Sequence, residues 1–171
     1  MADDHPLARE GLALAVRHAI PGAIVTYAGT IAEAEAAASR PGTFDLALLD
    51  LLLPDTRGFS GLLRLQFSLP GVPIVVITAR EEPSLPPIAR NLGAAGFLRK
   101  SAALDELAEA LRRIAAGRPI FPDDAGQAPV GVASKAVSIR DRIAALSWAQ
   151  RRVLFALADG FLLLSSISSG G

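Results

Sequence analysis

Short apolar runs alternate with helical patterns along most of this chain, and that alternation constrains the fold more than any other feature. Four runs are short and apolar enough to be strands: residues 23–28, 46–49, 72–79 and 96–99. The spacing of apolar residues, with Pro or Gly at the boundaries, predicts the intervening helices. They cover residues 6–20, 30–39, 60–69, about 86 to 92, and 104–115. Alternation of this kind predicts an α/β fold with a doubly wound parallel sheet and right-handed crossovers.

Polar side chains stand where the predicted strands end. Asp50 follows the run at 46–49, Thr78 and Lys100 close the next two runs, and Asp3 and Asp4 open the chain. In open α/β sheets, ligands bind beyond the carboxyl ends of the strands. Taken alone, Asp50 is more simply explained as a turn residue. Together the five residues suggest a site.

Three carboxylates brought close repel one another unless a cation sits among them, and hard oxygen ligands suit Mg²⁺. A metal, the ammonium of Lys100 and the hydroxyl of Thr78 could compensate the charge of an incoming phosphoryl group. Asp50 would then be the nucleophile, giving an acyl phosphate.

Composition excludes several classes of protein. Seventeen basic and seventeen acidic residues give no net charge, so no overall attraction to nucleic acid or anionic membrane is expected. The chain has no cysteine, hence no disulfide framework or thiolate metal site. No apolar run approaches the roughly 20 residues of a spanning helix. We expect no membrane association and a cytoplasmic location.

Four motifs resemble the receiver domain of bacterial two-component response regulators, and the opening DDHPLAREGL resembles the NarL/FixJ subfamily. The motifs are DD near the start, then LLDLLLPDTRG, IVVITA and GAAGFLRK. The resemblance covers residues 2 to about 117, so we define 1–117 as a receiver domain. It implies a flavodoxin-like sheet of order 2-1-3-4-5, with Mg²⁺ as cofactor.

The resemblance also implies a role for each site residue. Asp50 would be the phosphoacceptor, taking its phosphoryl group from the phosphohistidine of a sensor histidine kinase. Asp4, Asp50 and the backbone carbonyl of Leu52 would hold Mg²⁺, with Asp3 assisting directly or through water. Lys100 would contact the phosphoryl group and Asp50.

Two further residues would carry the conformational response. Thr78 would move to the phosphoryl oxygen and draw Phe97 inward, and small Ala79 would leave room for access. Phosphorylation would then expose an output or homodimer surface around the helix after Thr78 and the strand that contains Phe97. The residues alone predict only that Phe97 is a core aromatic.

The start of the chain departs from the resemblance. A receiver begins with an apolar strand before the acid pair, and here only Met1 and Ala2 precede Asp3. That strand is central in the order 2-1-3-4-5, so we expect a sheet that lacks most of its first strand. A late start site, a fragment, or replacement by the apolar segment 161–167 would each explain this.

The end of the chain departs as well. Residues 118–137 form a predicted linker, and 138–171 resemble a truncated LuxR-type helix-turn-helix remnant, with 146–160 similar to its first helix. The scaffold and recognition helices have no counterpart, so no residue for base readout is expected and this chain should not bind DNA specifically. Transcription control and DNA binding would belong to an intact parent protein.

Two other functional classes remain open. A catalytic aspartyl phosphatase or phosphotransferase of the haloacid dehalogenase type would need a second acid two residues after Asp50, where the chain has Leu52. A stand-alone interaction module without DNA output would suit the shortened tail. Beside the site, His5 is expected to be a surface or hydrogen-bonding group, and Arg99 to be solvated.

Overall fold

The computed structural model describes residues 1–40, 42 and 44–122, which form five helices and three strands. Their order is α1 Pro6–Ala19, α2 Ile31–Ala38, β1 Ala47–Leu49, α3 Ser60–Ser68, β2 Ile74–Thr78, α4 Leu85–Asn91, β3 Gly96–Arg99 and α5 Leu104–Ala115. The predicted alternation of strand and helix is confirmed. None of the described helices is long and apolar enough to cross a membrane.

The three strands form one parallel sheet in the order β1-β2-β3. Leu49 pairs with Val76 and Val76 with Phe97, which aligns the carboxyl ends of the strands. Ala2 makes isolated parallel bridges to Leu49 on one side and to Ala28 on the other. The segment at Ala2 therefore lies between Ala28 and β1, as the order 2-1-3-4-5 requires.

Helices cover both faces of the sheet, as expected for a doubly wound fold. On one face, α1 and α5 bury residues of all three strands: Leu48, Val75, Ile77 and Leu98. On the other face, α2, α3 and α4 cover a second core that includes Leu49, Val76 and Phe97. Because successive strand residues point to opposite faces, a strand covered on both sides must be apolar throughout. That requirement explains the uninterrupted apolar runs in the sequence.

The strand predicted over residues 23–28 is wrong except at its last residue. Ala28 alone is bridged, while Ile24 is 96% exposed. The physical reason is that a strand needs a partner for its backbone, and no described residue forms a bridge to residues 23–27. Two apolar clefts lie beside this segment, one lined by Val16, Ile20 and Leu46 and the other by Ala34, Leu65 and Leu69.

Other boundaries differ by one or two residues. The strand predicted over 72–79 is shortened to Ile74–Thr78, and α4 begins at Leu85, one residue before the predicted limit. Pro86 lies in the first turn of α4, where its missing N–H has no helical partner to lose. The predicted strand 96–99 and the predicted helix over 104–115 are confirmed.

The first residues of the predicted linker pack against the outer edge of the sheet. Ile120 forms a parallel bridge to Gly96, and the amide of Phe97 donates to the carbonyl of Ile120 at 2.8 Å. Phe121 is buried in the same core as Phe97, with the guanidinium of Arg90 4.2 Å from its ring centre. The rest of the predicted linker and the predicted helices at 138–146 and 146–160 lie outside the described residues.

Candidate functional site

Asp50 is held at the carboxyl end of β1 with almost no solvent contact. The residue is 1% exposed, and its amide donates to the carbonyl of Ala2 at 2.9 Å. Its Oδ1 accepts the amide of Leu52 at 3.1 Å, while its Oδ2 lies 2.6 Å from Lys100 Nζ. Both carboxylate oxygens therefore have a fixed direction relative to the backbone.

Lys100 follows β3 and extends between two buried carboxylates. Its ammonium lies 2.7 Å from Asp3 Oδ2 and 2.6 Å from Asp50 Oδ2, and both carboxylate side chains are 0% exposed. Burial by itself lowers the pKa of Lys100, but the contacts and charges of Asp3 and Asp50 outweigh it and raise that pKa above its ordinary value. The lysine is therefore a fixed positive charge in this site.

Asp3 and Asp4 lie beside Asp50 because Ala2 pairs with Leu49 in parallel. Asp3 follows Ala2 as Asp50 follows Leu49. The amide of Asp3 donates to the carbonyl of Ala28 at 2.9 Å. The side chain of Asp3 is buried and that of Asp4 is 33% exposed. The pairing of Ala2 thus places Asp3 and Asp4 beside Asp50.

His5, expected to be a surface or hydrogen-bonding group, has a side chain that is 62% exposed and lies against the acid pair. Its amide donates to Asp3 Oδ1 at 2.9 Å, and its Nδ1 lies 2.7 Å from Asp4 Oδ1. One ligand atom from each of Asp3, Asp4, His5 and Asp50 falls within 4.8 Å of the others. Its position directly after the acid pair and before Pro6 was the available signal.

Thr78 ends β2, and Phe97 lies on the neighbouring strand β3, where it pairs with Val76, two residues before Thr78. Thr78 is 0% exposed, and its carbonyl accepts the amide of Lys100 at 3.0 Å. Its hydroxyl accepts the amide of Arg80 at 3.3 Å. Phe97 is a buried core aromatic, as the residues alone predict, and Ala79 beside Thr78 is exposed. Arg99 is exposed, as expected.

Asp55 is a residue that the sequence did not single out. It lies in the loop after Asp50, and its two carboxylate oxygens accept the amides of Ile31 at 2.9 Å and Ala32 at 3.0 Å. The amide of Glu33 also donates to Thr30 Oγ1 at 3.1 Å, which caps the start of α2. The loop that carries Leu52 is therefore tied to the start of α2, a long-range contact with no local sequence signal.

The acidic residues fit a bound divalent cation. Asp3, Asp4 and Asp50 supply three carboxylates against the one ammonium of Lys100. Asp3 Oδ2 and Asp4 Oδ1 are buried and accept no aligned hydrogen bond from any described residue, although charged groups lie beside them. Buried, excess negative charge on hard oxygen ligands is the arrangement that Mg²⁺ binds. Leu52, whose carbonyl is the fourth predicted ligand, follows Asp50 closely in the same loop.

Comparison with known proteins identifies the family. Residues 1–112 match the family model described as the response regulator receiver domain. The chain therefore belongs to the response regulator receiver family. This match confirms the family that the four sequence motifs resemble.

Individual relatives agree with this membership. The chain is 32% identical over 124 residues to the glycerol metabolism activator of Pseudomonas putida, covering 72% of this chain and 56% of the relative. It is 30% identical over 162 residues to the DNA-binding transcriptional activator DevR/DosR of Mycobacterium tuberculosis, covering 94% and 73%. A solved structure of a LuxR family DNA-binding response regulator from Silicibacter pomeroyi has 33% identity and a TM-score of 0.62, covering 73% of this chain and 95% of that one. The chain spans a little over half the length of the first curated relatives it matches, between 56% and 59%.

Proposed function

We propose that this chain is a phosphorylation switch in which Asp50 accepts a phosphoryl group from the phosphohistidine of a sensor histidine kinase. The observation that carries the proposal is the surroundings of Asp50. Its carboxylate is buried, oriented by the amide of Leu52 and in contact with the ammonium of Lys100, beside two further carboxylates. An acid placed in this way serves chemistry better than packing.

The transfer forms a P–O bond at the Asp50 carboxylate and breaks the P–N bond of the phosphohistidine, which leaves a histidine on the donor. Lys100 stabilises the transferred group by placing a positive charge beside the Asp50 oxygen that it contacts. Thr78 offers its hydroxyl to a phosphoryl oxygen, and Phe97 on the neighbouring strand moves with it. The buried backbone of β1 and β2 keeps these groups in register during the reaction.

Magnesium is the cofactor that we infer for this site. Asp4, Asp50 and the carbonyl of Leu52 would hold it, with Asp3 assisting directly or through water. When bound, it supplies positive charge to the phosphoryl oxygens. The excess of carboxylates over ammonium groups supports this assignment.

The product is a phosphorylated protein, formed once per chain, rather than a turnover of phosphoesters. Leu52 occupies the position where an aspartyl phosphatase of the haloacid dehalogenase type would carry a second acid. We infer that phosphorylation promotes a homodimer or output contact near α4 and β3, and that transcription control through DNA belongs to a longer form of the protein. A cytoplasmic location fits these roles.

Incubation of the purified chain with acetyl phosphate and Mg²⁺ tests the proposal by intact mass. We expect up to one added phosphoryl group per chain, lost in Asp50→Asn and retained in Asp45→Asn, an exposed acid in the loop before β1. EDTA should abolish the labelling. Labelling that persists in Asp50→Asn, or multiple turnover of a phosphoester, would contradict the proposal.

A further inference from the structure

The imidazole of His5 stands among the acidic ligand atoms, where the proposed magnesium chemistry gives it no role. Its Nδ1 is 2.7 Å from Asp4 Oδ1 and 3.7 Å from Asp3 Oδ1. The backbone holds it there, since the amide of His5 donates to Asp3 Oδ1 at 2.9 Å and Pro6 follows at the start of α1. The backbone of His5 is therefore fixed on both sides, while its side chain is 62% exposed.

The two closest atoms are His5 Nδ1 and Asp4 Oδ1. At 2.7 Å they are close enough to form an ion pair when the imidazole is protonated, and to bind one cation side by side when it is neutral. Ligands about 2.1 Å from an octahedral cation lie about 3 Å from their neighbours. A nitrogen and an oxygen side by side at this separation have the spacing of two adjacent ligands of one cation.

An imidazole ligand changes which cation a carboxylate site prefers. Mg²⁺ takes oxygen ligands and water, whereas imidazole nitrogen favours first-row transition metals such as Co²⁺, Ni²⁺ and Zn²⁺. With Asp3, Asp4 and Asp50 alone the site would offer only oxygen. With His5 Nδ1 it offers a mixed nitrogen and oxygen set.

We propose that His5 is a metal ligand that determines specificity, so that this site binds a first-row transition cation through His5 Nδ1 and the carboxylates in preference to Mg²⁺. The proposal rests on the cation site of the proposed function. It gives the phosphoacceptor pocket a second occupant, which competes with Mg²⁺ for Asp4 and Asp50.

Binding of Co²⁺ and Mg²⁺ to the full chain, measured separately by calorimetry, tests this assignment. His5→Gln should weaken Co²⁺ binding by about tenfold or more and change Mg²⁺ binding by less than about twofold. The chain has only two histidines. His18→Gln, at the far end of α1, is therefore the matched control and should leave both affinities unchanged.

A spectroscopic readout separates ligation from indirect effects. In the NMR spectrum, Co²⁺ ligated by His5 Nδ1 should give the ring protons of His5 contact shifts far larger than those of neighbouring side chains that lie close to the cation without being bonded to it. The ring of distant His18 should show at most a small through-space shift. Unshifted His5 signals, an equal change in Co²⁺ and Mg²⁺ affinity, or no change in His5→Gln would each overturn the proposal. Labelling by acetyl phosphate in Mg²⁺ is followed in parallel, because loss of labelling would contradict the proposed function, whereas normal labelling without a Co²⁺ effect contradicts only the role of His5.

Discussion

Lys100 and Asp50 are joined by a contact of 2.6 Å between Nζ and Oδ2, and the same ammonium reaches Asp3 Oδ2 at 2.7 Å. The lysine therefore neutralises part of two buried carboxylates before any cation or phosphoryl group arrives. Removing one member of a buried ion pair is costly because the remaining charge stays buried without compensation.

We accordingly expect Lys100→Met to lower the free energy of unfolding by about 3 to 5 kcal/mol in EDTA, measured in urea. Saturating Mg²⁺ should restore part of this loss, because the cation can replace the missing charge. Arg113→Met, which removes an exposed cation on α5, should change stability by less than about 0.5 kcal/mol. Equal effects of the two substitutions would contradict the arrangement.

The difference in unfolding free energy between the wild type and Lys100→Met depends on pH in a way that follows from the direction of the pKa shift of Lys100. The pKa of Lys100 is raised above 10.5 in the folded state, so its contribution is complete below that pH and is lost as the pH rises through the folded-state pKa. The stability difference between the wild type and Lys100→Met should therefore be constant from pH 7 to about 9. A difference that falls within this interval would show that another group controls the pair.

Gly96 should not tolerate a side chain, because a Cβ there would lie 2.7 Å from Ile114 Cδ1 and 3.1 Å from the carbonyl oxygen of Ile120. Gly96→Ala should cost about 1 to 3 kcal/mol in urea unfolding and loosen the edge contact of residues 118–122. Gly11→Ala is the matched control, since nothing lies within 4 Å of a Cβ at that helical position. It should stabilise the protein by about 0.5 to 1 kcal/mol. The same Gly-to-Ala change should therefore lower the unfolding free energy at Gly96 and raise it at Gly11, and this contrast tests the packing at the sheet edge.

Asp55 should matter for stability although it is exposed. Asp55→Ala removes both side-chain acceptors from the amides of Ile31 and Ala32, and we expect a loss of about 1 to 2 kcal/mol. Asp55→Asn keeps one acceptor oxygen and should lose less. Asp45→Ala, at an exposed acid without this contact, is the control for urea unfolding. If Asp55→Ala were as stable as Asp45→Ala, the contact of Asp55 with α2 would contribute nothing to stability, which would contradict the prediction.

We expect the amide of residue 28 to exchange its hydrogen more slowly than the amides of the segment before it. The amide of Ala28 donates to the carbonyl of Met1 at 2.9 Å, and those of Asp3 and Asp50 are bonded in the same ladder. Within the part of the chain that the structure describes, the amides of residues 24–27 donate to no carbonyl. Mass spectrometry or NMR should find rapid exchange at 24–27 and slow exchange at 28. Uniform protection of this segment would mean that it is paired as a complete strand.

The core strands were predictable because their both-sided burial demands apolar residues at every position, as in Ile74–Thr78. The polar residues at the ends of these strands were also predictable, because the apolar residues of each run offer no side chain that can bind a cation or accept a phosphoryl group. The strand predicted over 23–28 was wrong because β-branched residues favour a strand, whereas pairing depends on a neighbouring strand that the local sequence does not specify. The partners of His5 and Asp55 could not be predicted because the tertiary structure sets them. The partners of His5 depend on how the acid pair folds, and those of Asp55 lie on a helix more than twenty residues away.

The acid pair is joined to the sheet through Ala2 and through the amide of Asp3, which donates to the carbonyl of Ala28. Asp3 and Asp4 are ordered by the bridges to Ala28 and Leu49, whereas the rest of the pocket rests on a full sheet. A cation that needs these two carboxylates binds only molecules in which the amino-terminal segment is docked, so its apparent affinity falls by the docked fraction. The same linkage works in reverse, because a cation at a hundred times its dissociation constant would stabilise the docked state by about 2.7 kcal/mol. A cation bound at this site would thus also be a folding ligand for the start of the chain.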